Sequence, residues 1–199
     1  MLGSGIARLG PFRTVRHLDE EVSWQNAVHN APRRIEDIIV GCKNHYDKEE
    51  SDMVDILHKV GIETSAVNEV YAALTTLEGL SGWWTGDTQG DTAVSGVLEF
   101  RFDVGSIDMK VVELRPAHIV RWQVVDGPPE WIGTTVSFEL RQDGDYVVVL
   151  FRHEGWKEPV EFMHHCSTKW GVFMMSLKSL VETGKGAPAP RDVKIDNWN

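Results

Sequence analysis

The sequence predicts an α+β domain in which a curved antiparallel sheet of about six strands is closed over by one long C-terminal helix. Three observations predict it. Met163, Cys166, Trp170, Phe173, Leu177 and Leu180 follow one another at steps of three and four, which lines them along one apolar face of a helix between Glu158 and Gly184. Five earlier stretches alternate between apolar and polar residues, as half-buried strands do. The segments joining those stretches are short and rich in Gly, Pro and Asp, so neighbouring strands should pair as a meander.

Taken in order, Asp55 to Ile62 alternates well enough for a first strand. Ser65 is placed to cap a helix over AVNEVYAALT, whose Ala66, Val70, Ala73 and Leu74 share a face. A second short helix is expected in TTLEGLSGWW, capped by Thr75 or Thr76 and loosened at its end by Gly82. Asp87 to Asp91 reads as a polar turn. Strands are expected at Val97–Asp103, Ser106–Leu114, His118–Val125, Thr134–Arg141 and Tyr146–His153, divided by Val104-Gly105, Arg115-Pro116, Asp126-Gly127-Pro128-Pro129 and Asp143-Gly144-Asp145. Leu98, Phe100 and Phe102, Val120, Trp122 and Val124, and Val136, Phe138 and Leu140 should face the helix. Val147 to Phe151 is apolar on both faces and should lie where the sheet is covered twice. Pro159 suits the first turn of the long helix and Gly184 its left-handed end.

Residues 53–184 therefore form the predicted domain, and 185–199, beginning KGAPAP, a semi-rigid tail. Residues 1–52 show no sustained period and read as a poorly structured or locally helical extension. The Lys-Glu-Glu run before Met53 can be encoded by a ribosome-binding sequence, so Met53 is the expected natural start. Against 20 Lys+Arg stand 30 Asp+Glu, a formal charge of −10 with no basic cluster, which argues against nucleic acid or an anionic membrane as partner. Two cysteines, Cys42 and Cys166, make no disulfide framework and fit a reducing cytoplasm. No apolar run is long enough to span a bilayer, and no secretory signal is evident.

The helix-to-loop passage TTLEGLSGWW, the strand pair GTTVSFELRQDGD and YVVVLFRHEGW, and the closing C-x3-W run with SLKSLVETGKGAPAP resemble bacterial proteins similar to the C-terminal domain of the activator of Hsp90 ATPase, in the START-like or SRPBCC superfamily. The resemblance runs from Val54 to about Ile195. It implies the helix-grip fold of Bet v 1, a cavity between sheet and long helix, and a hydrophobic small molecule as ligand. It also implies two alternatives: a protein-interaction module related to the chaperone activator, or a cyclase- or hydrolase-like enzyme using the same cavity. The sequence shows no counterpart of the extra N-terminal chaperone-binding domain of a full eukaryotic activator.

The aromatic residues carry the strongest functional signal, because aromatic walls with few polar groups suit an apolar or aromatic ligand. The expected lining is Trp83, Trp84, Phe100, Phe102, Trp122, Phe138, Phe151, Trp170, Phe173, Met174 and Leu177, and the competing explanation is that these side chains simply fill the core. Met163, Met174 and Met175 would either adapt such a pocket or plug its gaps. His58, Glu113 and His118 are the candidate polar groups; Glu113 shares its phase with Met109 and Val111 and would need Arg115, Arg121 or Arg152 as a partner if it points inward. His164, His165 and Cys166 diverge by about a hundred degrees per residue on a helix, so no metal site is expected there. Cys166 reads as a core thiol, and Glu99, Glu139 and Glu154 as solvated sheet surface. No catalytic set, metal or cofactor is expected, and the oligomeric expectation is a monomer or homodimer.

Overall fold

The structure, a computed structural model, describes residues 54–64, 66–103 and 105–195. The readings made for residues 1–53, for Ser65 as a cap and for Val104 in its turn lie outside them. The elements are β1 (Val54–Glu63), α1 (Val67–Thr75), α2 (Leu77–Trp83), β2 (Asp87–Gly90), β3 (Val97–Phe102), β4 (Gly105–Arg115), β5 (Ile119–Asp126), β6 (Thr135–Asp143), β7 (Tyr146–Trp156) and α3 (Glu161–Thr183). All seven strands form one antiparallel sheet in the order β1-β7-β6-β5-β4-β3-β2. This is the helix-grip arrangement expected, with one strand more.

The added strand is β2, where a polar turn was expected. Asp87 to Gly90 pairs with Arg101 to Leu98, and polar residues suit such a short strand at a sheet edge. Alternation elsewhere predicts the inward face correctly: Leu98, Phe100, Val120, Trp122, Val124, Val136, Phe138 and Leu140 are all buried. In β7, Val148 is buried and Leu150 half-buried on the outer face. Their cross-strand neighbours there include Arg141, Lys59 and Glu139, whose aliphatic stems can cover apolar surface.

The helices end as their sequences dictate. Thr76 Oγ1 accepts the Gly79 amide at 3.0 Å and caps α2, and Gly184 closes α3 at φ 73°. Pro159 falls just outside α3, whose cap is Val160. Gly82 is needed for approach rather than for loosening the helix: a Cβ there would stand 2.9 Å from Leu180 Cδ2. α2 can therefore lie against the C-terminal half of α3.

Side chains of α3 also reach the backbone of β1, an edge strand. Lys178 Nζ donates to the Gly61 carbonyl at 2.7 Å, and the Glu63 amide donates to Glu182 Oε1 at 2.6 Å. Lys178 also pairs with Glu182, and these two contacts hold the Glu182 carboxyl below its ordinary range. Unpaired edge groups of β1 are thus occupied by the helix that the sheet grips. No helix among the described residues is long and apolar enough to cross a membrane.

Candidate functional site

The interior beneath α3 divides into a packed part and an open part. In the packed part Trp122 meets Phe138 edge-on at 5.1 Å, Phe138 meets Phe151 at 5.3 Å, and Trp83 approaches Phe138 at 6.1 Å. Trp83 satisfies its indole N–H on the Ala73 carbonyl at 3.0 Å. Trp83, Phe100, Trp122, Phe138, Phe151, Met174 and Leu177 are all at most 1% exposed. They fill the space that the sequence reading assigned to a ligand, and none of them borders the cleft described next.

The cleft, of about 460 Å³, lies at the other end of the helix. Its apolar wall combines Trp84, Phe102, Trp131, Trp170 and Phe173 with Ile107 and Phe162. Trp131 stacks on Trp170 with centroids 5.8 Å apart and planes 17° apart, and Trp84 sits 4.9 Å from Trp170. Volume and lining fall within the range of small-molecule sites, which are concave and mostly apolar with a few placed polar groups. Of the expected lining, Trp84, Phe102, Trp170 and Phe173 are here. Trp131 was not assigned to the lining; it sits in the β5–β6 loop, where strand alternation gives no guidance.

A buried polar chain holds the two stacked indoles in place. The Trp170 N–H donates to His153 Nδ1 at 3.1 Å, His153 Nε2–H donates to Thr134 Oγ1 at 2.8 Å, and the Thr134 hydroxyl donates to the Trp131 carbonyl at 2.6 Å. Each donor has one acceptor only if His153 is neutral with its proton on Nε2. Burial agrees, lowering the His153 pKa from 6.5 to about 3. His153 was missed as a site-shaping residue, although it continues the inward phase of Val147, Val149 and Phe151 on β7. The Trp131 indole is also buried, with the Cys166 thiol as a side-chain neighbour.

Polar groups of the cleft come from the β2–β4 region, including Asp87, Arg101 and Ser106, and from α3 and the tail. Lys169 Nζ pairs with Asp192, whose side chain is only 3% exposed, and also stands 5.7 Å over the Phe173 ring. The tail is not loose over residues 185–192: the Ala187 amide donates to Ser176 Oγ at 2.8 Å, Ala189 donates to the Trp84 carbonyl at 2.8 Å, and Gly86 donates to the Ala189 carbonyl at 3.1 Å. Neither Lys169 nor Asp192 was singled out from sequence, because a lysine between apolar helix positions and an aspartate in a Pro-rich tail look solvated until the chain folds back.

The three candidate polar groups lie elsewhere. His58 is half-buried on β1 and donates to the Ser167 carbonyl at 3.0 Å, tying β1 to α3. His118 is exposed in the β4–β5 turn. Glu113 points to the outer face: the register moves from Val111↔Trp122 to Glu113↔Arg121, so Val112 is an extra residue that reverses the phase. There Glu113 meets Arg121 at 2.5 Å and Arg115 at 2.6 Å. Met175 is exposed and plugs no gap. Cys166 is buried at the cleft wall, and burial pushes its thiol up to about 12, far from nucleophilic use. Among the described residues no three His, Cys, Asp or Glu are grouped to hold a metal ion.

A seven-stranded sheet gripping a long C-terminal helix, with an apolar cleft between them, defines a START-like protein of the SRPBCC class. The family model for Activator of Hsp90 ATPase homolog 1-like proteins matches residues 64–182, and the chain belongs to that family. Its fold is similar to the solution structure of the Aha1 dimer from Colwellia psychrerythraea, at 43% identity over 67% of this chain and 100% of that one, with a TM-score of 0.63. Two more distant structures share the fold. One is a protein from Mesorhizobium loti (16% identity, 64% and 96% covered, TM-score 0.56). The other is CalU16 from Micromonospora echinospora (17% identity, 69% and 78% covered, TM-score 0.56). No curated protein matches the chain.

Proposed function

We propose that this protein binds a hydrophobic, ring-containing small molecule in the cleft between the N-terminal half of α3 and the β3–β4 end of the sheet. A cytoplasmic setting belongs to the same reading. The observation that carries it is the stack of Trp131 on Trp170, backed by Trp84, in the wall of a cleft of about 460 Å³. Filling the rest of the interior with aromatics confines a guest to that place. Indole faces give a flat ring dispersion and stacking contacts that an aliphatic wall does not, at about 1 kcal/mol per well-placed pair. The second reading, a protein-interaction module related to Hsp90 ATPase activators, is supported by the family and by the identity to the Aha1 protein.

Titrating the 199-residue protein with a panel of hydrophobic metabolites while following tryptophan fluorescence tests the first reading. A saturable change that is lost in Trp131→Ala supports it. A flat response to every compound, with a stable complex formed with a purified chaperone ATPase, would establish the second instead.

A further inference from the structure

The Lys169–Asp192 pair stands out from the other ion pairs of the described chain. Those others, including the Arg101 pairs beside the cleft, have at least one partner well exposed or share a backbone group. This pair lines an aromatic cleft, with side-chain exposures of 19% and 3%, and it joins two segments remote in sequence. Removing two charges from water is costly unless each is well partnered, and the benefit to stability of such a pair is small. Any carboxylate that reached Lys169 with equal geometry would satisfy it as well as Asp192 does.

The cleft offers such a carboxylate a route. Lys169 projects from α3 one position before Trp170 and about one turn before Phe173, with its ammonium over the Phe173 ring. Arg101, another cation of the lining, is already held by Glu99 and by Asp108 at 2.9 Å, and Lys194 is exposed. A flat ring in the cleft would therefore find a half-buried cation whose present partner belongs to the tail.

The attachment of the tail makes that partner exchangeable. Upstream of Pro190 the tail is bonded through the backbone amides of Ala187 and Ala189, independent of any charge. Beyond Pro190, Lys169–Asp192 is the polar tie to the body found among the described residues. Releasing Asp192 would free residues 190–195 and leave the anchor at Ala189 in place.

We infer that Asp192 occupies Lys169 as an internal substitute for the acidic group of the ligand, so that the cleft selects aromatic acids and the end of the tail is displaced when one binds. The inference rests on the binding role proposed above and narrows its ligand class. Two probes that share the same rings separate the two ideas: anilinonaphthalene sulfonate, which is anionic, and N-phenylnaphthylamine, which is neutral. With an internal competitor removed, Asp192→Asn should tighten the anionic probe by about fivefold or more while leaving the neutral one within about twofold. Lys169→Gln should weaken the anionic probe and spare the neutral one, and Lys169→Arg should keep the preference for the anion. In the unmodified protein, amide exchange over residues 190–195 should speed up under the anionic probe and not under the neutral one, a result that does not depend on any variant folding. If both probes bind and respond alike to Asp192→Asn and Lys169→Gln, or exchange in the tail slows with both, Asp192 is a structural tether and the inference fails alone. If neither probe binds the unmodified protein, the binding role and the inference fail together.

Discussion

Two halves of one interior are built from the same kinds of residue and end differently. Under the C-terminal half of α3, α2 and the centre of the sheet close in, and Trp83, Trp122 and Phe138 meet one another with no room to spare. Under the N-terminal half the cover is made of loops and tail, and Trp131, Trp170 and Phe102 border a cleft. Aromatic content is therefore no index of a pocket. What separates core from cleft is whether a regular element packs against the rings: Gly82 permits that approach at one end, and Trp131 on a loop substitutes for it at the other.

The largest effect should come from breaking the packed half. Trp122→Ala would leave a cavity among fully buried rings and should cost about 3 to 5 kcal/mol in urea unfolding, whereas Phe102→Ala at the half-exposed cleft should cost less than about half of that. Equal losses would mean that the two halves are packed alike.

Next in size is the buried histidine beneath the cleft. With a folded pKa near 3 against 6.5, His153 stays neutral where the unfolded chain takes up a proton. Stability is then complete above about pH 6.5 and falls as the pH drops toward 3, by about 1.4 kcal/mol per unit within that window. Unfolding free energies measured from pH 7 to pH 4 should show this slope, and His153→Gln should flatten it. A slope unchanged in that variant would place the sensitivity in other groups.

The smallest effect should be at Glu113, outside both halves. Glu113→Gln breaks pairs with two exposed arginines and should shift stability by no more than about 1 kcal/mol, without altering ligand response. A larger loss would show that the outer face contributes more to the sheet than its exposure suggests.

Much of the architecture was legible because it rests on local periods. The three-and-four spacing of Cys166, Trp170, Phe173 and Leu177 specified the buried face of α3, and the period of two specified which side of β3, β5 and β6 faces it. β2 escaped notice because an edge strand gains its ladder from Arg101 to Leu98 on β3 and not from its own residues. The side of the sheet that Glu113 faces stayed open in the sequence because one extra residue, Val112, inverts the phase of everything after it, and no composition signal marks that residue.

Residue order alone settled the element types apart from β2 and most of the inward faces, since each depends on repeats within ten or twenty neighbouring positions, and its motifs carried the family resemblance. Where the empty space falls, which tryptophans border it, and that Lys169 meets Asp192 were settled by the assembled chain. Those facts depend on how a loop, a helix and a returning tail converge, and groups so far apart in sequence carry no shared period that could announce their meeting.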